Sequence, residues 1–171
     1  MTIDKCSINL NAVIDGEYGS TSAAPFSSRA IQQVLKSLSS TFTVGTGANQ
    51  ANKLYSASGT VDTTGITLDL AGGLTDVFGN TITFTSIVAA AFINTETADG
   101  SYLLVGGAAS NQFYSWFSAS NDVERIPSSG FILRTAPLAT GFTVTAGTGD
   151  SLKMAAASGT VGYEVLILGR S

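Results

Sequence analysis

The chain has no histidine among its 171 residues and a single cysteine, Cys6. Without histidine there is no Ser/His or Cys/His dyad, and the commonest general base and most catalytic zinc sites are lost with it. One thiol closes no intrachain disulfide and builds no Cys/His metal cage. Cys6 opens an alternating segment with Lys5 as its one neighbouring activator, so it reads as an inert strand-edge thiol. Charge is scarce too: Asp, Glu, Lys and Arg make up 12% of the chain, about half the usual share. Eight Lys and Arg are scattered thinly against twelve acids, for a net charge of −4, which argues against phosphate-backbone binding and hence against a nucleic-acid partner. Long apolar runs are missing. The longest, Ile87 to Ile93, is far too short to cross a bilayer, and Met1-Thr-Ile-Asp-Lys-Cys6 lacks the basic and apolar blocks of a signal peptide. The expectation is a soluble protein made in a cytoplasm, without cofactor or membrane partner.

Hydroxyls take the place of ions. Ser and Thr supply about a quarter of the residues, with 19 glycines and an apolar share of 44%. Such a chain is poor helix material and good strand-and-turn material, and its length suits one domain with an adequate core. Cys6 to Asp15 alternates cleanly, with Ile8, Leu10, Ala12 and Ile14 on one side, as a half-buried strand does. Asp15-Gly16 closes it, and Tyr18 to Phe26 reads as an extended arm or loop. The division proposed is therefore a strand and arm over 1–26 and a single domain over 27–171. Ser27 to Ser39 is ambiguous. Ile31, Val34, Leu35 and Leu38 recur at helical spacing behind a Ser N-cap, slightly favouring a short helix, while a strand remains open.

From there strands follow one another at turn signals roughly ten residues apart: Lys53 to Val61, Thr64 to Leu70, Thr81 to Asn94, Tyr102 to Val105, Phe131 to Thr135, Gly141 to Thr145, Leu152 to Ala156 and Val161 to Leu168. Phe113 to Phe117, between the fourth and fifth of these, is aromatic-rich. The last strand is apolar on both faces near its end, which belongs in the middle of a sheet. Greek-key wiring places it there and a meander does not. The fold expected is all-β, a β-sandwich of jelly-roll type with an extended N-terminal segment and at most one short helix.

Chemistry is hard to find. Asp62, Asp69 and Asp76 lie seven apart in turn-rich sequence, where Asp mostly bonds local backbone, and the alternating acids of a calcium loop are absent. Gly45-Thr-Gly47 and Gly147-Thr-Gly149-Asp150 lack Walker spacing and read as hairpin punctuation. Phe113, Tyr114, Trp116 and Phe117 are explained first by core packing, with a subunit contact or a sugar-stacking surface as the rival. Together with Ile8, Leu10 and Ile14, these four are the candidate interface. A carboxylate-pair glycosidase is the enzymatic rival, but the chain reads as a non-enzyme.

Three stretches also carry a resemblance: Asp69-Leu-Ala-Gly-Gly-Leu-Thr-Asp-Val-Phe-Gly-Asn-Thr-Ile-Thr-Phe84, Leu104-Val-Gly-Gly-Ala-Ala-Ser-Asn111, and Ala136-Pro with Thr140-Gly-Phe-Thr-Val-Thr-Ala-Gly-Thr-Gly-Asp150. In combination they resemble small structural proteins of tailed bacteriophages, over about residues 41 to 169. The resemblance implies a jelly-roll virion protein on the capsid surface. It would decorate or cement the head shell through a homotrimer and through contacts with the major capsid protein. It supplies no catalytic residue and tilts Ser27 to Ser39 toward strand. A tail or receptor-binding component with a carbohydrate-binding jelly roll is the alternative it allows.

Overall fold

The computed structural model describes residues 41–171 and, before them, the backbone of two strands, Ala12–Gly19 and Ile31–Leu38. These two, β1 and β2, pair antiparallel from Ala12↔Leu38 to Gly19↔Ile31 and belong to one unit, while Phe42–Ser171 belongs to another. Two points are decided here. Ser27 to Ser39, left open between helix and strand by its spacing and tilted toward strand by the resemblance, holds the strand Ile31–Leu38, because an isolated helix of a dozen residues is marginal in water whereas β1 satisfies the backbone of β2 along its length. Asp15-Gly16 does not end the first strand, which runs on to Gly19 opposite Ile31. Residues 6–11, including Ile8 and Leu10, lie outside the described residues, as does most of the expected arm.

The larger unit is all-β, with no helix among the described residues. Its strands are β3 (Thr43–Val44), β4 (Gln50–Ala51), β5 (Lys53–Asp62), β6 (Ile66–Asp69), β7 (Leu74–Thr75), β8 (Thr81–Ile82), β9 (Ser86–Asn94), β10 (Leu103–Gly106), β11 (Val123–Ile126), β12 (Phe131–Thr135), β13 (Phe142–Thr143), β14 (Ser151–Ala156) and β15 (Thr160–Arg170). One antiparallel sheet runs β12-β9-β15-β5, with β13 also on β9, and a second runs β11-β10-β14-β6. The chain passes back and forth between them. The first crossing, from β5 to β6, is a turn in which Gly65 has φ +75°, and a Cβ there would collide with the Met154 carbonyl and with Ala155. As its two-sided apolar end implied, β15 lies inside its sheet, between β5 and β9.

One core fills the space between the sheets. Val61, Phe92, Val165 and Ile167 come from the five-stranded sheet; Leu68, Leu103, Val105, Leu152 and Met154 come from the other. Phe84 and Phe113 join them from loops. Each such side chain contributes about 1.5–3 kcal/mol of transfer free energy. Polar ties also join the layers. Asn94 of β9 is fully buried and donates from Nδ2 to the carbonyls of Ile126, on β11, and Ser101. Arg134 of β12 forms an ion pair with Glu124 of β11; being partly exposed, it is worth about 0–1 kcal/mol.

One strand expectation differs in detail. Thr81 to Asn94 is two strands, because Phe84 N–H turns to Leu70 O and Thr85 N–H to Arg170 O, re-aiming the chain before β9 begins. Phe113 to Phe117 is no strand: Phe117 N–H donates to Tyr114 O in a turn, which brings positions 113, 116 and 117 to one side.

Candidate functional site

In an antiparallel sheet, residues directly opposite share a face. On the five-stranded sheet the inward parity of β15 is Val161, Val165 and Ile167, all buried, so Glu164, Leu166 and Leu168 face outward. The register then fixes three outward rows: Phe131–Ile93–Glu164–Ser58, Leu133–Ala91–Leu166–Ser56 and Thr135–Ala89–Leu168–Leu54. Phe131 is 68% exposed, Leu166 46% and Leu54 42%, and Ile93, Leu133 and Ala91 between them are half-buried. One charge, Glu164, stands in these rows. The outward parity of the other sheet pairs Leu104 with Arg125 and with Ala155, and Lys153 with Thr67. There the Arg125 guanidinium lies 3.5 Å above the Tyr102 ring. One outer face is thus apolar and nearly uncharged, and the other carries cations.

The aromatic cluster divides. Phe113 is buried, and Trp116 packs edge-on against Phe113, Phe92 and Phe142 with centroids 4.6, 6.1 and 5.5 Å away, with Phe117 tilted at 5.6 Å. Core packing accounts for Phe113, Trp116 and Phe117, although the Trp116 Nε1–H is buried without an acceptor among the described residues. Tyr114 points away and is 51% exposed. Of the N-terminal candidates, Ile14 sits opposite Lys36 in the β1–β2 pair.

Sequence reasoning missed the outward rows and a second apolar feature. Val77 and Phe78, 81% and 70% exposed, form the tip of the β7–β8 hairpin. Asp76 clamps that tip, its Oδ1 accepting the backbone N–H groups of Phe78 and Asn80 at 2.9 Å each, with the Asn80 amide on the same carboxylate. The Asn80 side chain, first, and its backbone N–H hold the Asp76 carboxyl below the usual range. Asp62 is lowered likewise by the N–H groups of Gly65 and Thr64, and Asp69 accepts Ala71 N–H at 3.0 Å. The three evenly spaced acids are turn caps. Among the described residues no three of His, Cys, Asp and Glu converge as a metal site.

At the end of β15, Arg170 is 2% exposed. Its guanidinium donates to the carbonyls of Gln50 (2.9 Å), Leu138 (3.0 Å) and Ala139. Burial pushes its pKa down. It pins two connecting segments to the central strand, a structural role. A hollow of about 280 Å³ opens between Tyr114-Ser115 and the Thr143–Gly149 turn. Among the described residues these features yield surfaces and open recesses, with no nucleophile–base pair. Comparison with protein-family models, with curated proteins and with solved structures finds no match for the chain.

Proposed function

We propose that this is a jelly-roll β-sandwich that serves as a structural protein of a bacteriophage virion, decorating or cementing the capsid shell as a homotrimer. The strand wiring supports the fold. With the eight principal strands taken in chain order, β5 pairs β15, β6 pairs β14, β9 pairs β12 and β10 pairs β11, all antiparallel. That is one long hairpin of four strand pairs rolled into two sheets, an architecture used in viral capsids and lectins.

The observation that carries the function is the outward face of Phe131, Leu133, Ile93, Leu166 and Leu54. Exposed apolar patches on soluble proteins mark contact surfaces, and a face with Glu164 as its one charge gives up few hydration shells when covered. Closed symmetry is the usual way in which a chain satisfies such a face with its own copies. The hydroxyl-rich remainder keeps the free protein in solution before it meets its shell.

The test is the oligomeric state by light scattering, followed by binding to undecorated capsids. The unaltered chain is expected as a trimer that binds particles, and Leu166→Lys as a folded monomer that binds at least tenfold less. A wild-type protein that is monomeric at its highest soluble concentration and ignores capsids would overturn the reading.

A further inference from the structure

We infer that the hollow between Tyr114 and the Thr143–Gly149 turn is a binding site for a neutral sugar ring. Its lining is Tyr114, Ser115, Thr143, Thr145, Thr148 and Gly149: one phenol ring, four aliphatic hydroxyl groups and a bare backbone position. Tyr114, Ser115 and the three threonines are exposed. No charged side chain lines it, which removes the usual handles for phosphates, carboxylates and metal ions. An apolar ligand would leave the hydroxyls unpaired. A pyranose meets both demands, laying a C–H face on the Tyr114 ring and exchanging hydrogen bonds with hydroxyls, each of which donates and accepts. A volume of about 280 Å³ lies at the small end of ligand pockets, about 300–1,000 Å³, and suits one or two rings.

Both walls are held in place before any ligand arrives. Asn111 O accepts the N–H groups of Asp150 and Ser151 at 3.0 and 2.8 Å, and Phe113 N–H donates to Ser151 O at 2.9 Å, anchoring the Tyr114 wall to β14. The other wall is closed by Gly149 N–H on Thr145 O at 2.8 Å and Val144 N–H on Thr85 O at 3.0 Å. The buried Asp150 carboxylate accepts Gly147 N–H within the same turn. A preformed site loses little ordering entropy on binding. The surface is small and its bonds replace bonds to water, so affinity is about millimolar. The site is separate from the apolar sheet face and does not depend on the assembly reading.

Trp116 is the sole tryptophan of the chain. It follows Ser115 and packs on Phe142, next to Thr143, so its fluorescence reports on both walls. The probes are the methyl glycosides of glucose, galactose, mannose and N-acetylglucosamine, each titrated to roughly 20 mM, about twenty times a millimolar dissociation constant. At least one is expected to give a saturable change in Trp116 emission together with amide shifts at Thr148 and Gly149. Tyr114→Ala and Thr145→Val, both at exposed positions, should each weaken it tenfold or more with an unchanged β-type spectrum. Leu166→Lys should leave it intact, separating this site from assembly. Absence of a saturable response to all four probes would overturn the inference. So would a response that survives unchanged in both hollow variants.

Discussion

Replacing Asn94 tests how the two sheets are tied. Its side chain is fully buried, donates from Nδ2 to Ser101 O at 3.0 Å and Ile126 O at 3.1 Å, and accepts Glu96 N–H at Oδ1 at 3.0 Å. Asn94→Leu keeps much of the volume and strands two carbonyls and one amide. At about 1 kcal/mol net per lost bond, the cost is about 3 kcal/mol. For a chain of this size a kilocalorie moves the melting temperature by about 3 °C, so a fall of about 9 °C follows. Asn94→Asp should be at least as damaging, since its carboxylate faces two carbonyls with no donor to offer. The control is Thr95→Ala, at an exposed position, expected within about 0.5 kcal/mol of the parent. The assay is thermal unfolding followed by near-ultraviolet circular dichroism at several scan rates. A fall of less than about 3 °C for Asn94→Leu would refute the claim that this amide joins the layers.

Arg170→Met should cost about 2 kcal/mol, since three carbonyls lose a charged donor while the burial penalty of the cation is relieved; Arg170→Lys, a single point charge in place of a fork, should fall between, as read by urea denaturation. Asp62 and Asp76 ionise more readily in the folded chain, so they add stability above about pH 4 and lose it as pH falls through their lowered values. An Asp62→Asn/Asp76→Asn variant should therefore show a smaller drop in melting temperature between about pH 5 and pH 2.5 than the parent. Burial, and then the neighbouring Tyr163, raises the Tyr55 phenol. Its contribution is full below about pH 10 and fades as pH rises through the folded value, so Tyr55→Phe should flatten the alkaline limb of the stability curve.

Much of the sheet structure could be read from alternation. Val161, Tyr163, Val165 and Ile167 are the inward parity of β15, and Ile82 and Phe84 face in as their spacing implied. The turn role of Asp62, Asp69 and Asp76 followed from their turn-rich setting, where Asp bonds local backbone. β11 was not legible: Val-Glu-Arg-Ile, four residues between Asp122 and Pro127, carries too little apolar signal, and its place depends on β10 beside it. The outward rows were hidden for a different reason. Leu166 and Leu168 share a parity and a residue type, yet one is 46% exposed and the other 2%. The difference lies in what surrounds each end of the face, which no local pattern encodes. In Ile31–Leu38 helical and strand spacings coincide, so backbone pairing with β1 decides what periodicity leaves open. The hollow joins residues near 114 to residues near 145, a juxtaposition made by the return of the chain to β14.

The placement of β15 between β5 and β9 has a consequence during synthesis. A ribosome produces β5 and β9 long before residues 160–170 exist, so β5 waits with its inner edge open across the 97 residues 63–159 and β9 across the 65 residues 95–159. Open edges of this kind recruit wrong partners, including the same segment of another nascent chain. The interval between emergence of β9 and arrival of β15 is therefore the vulnerable period. Slower translation of the stretch between them should lower the soluble yield, while the stability of the molecules that do fold stays the same.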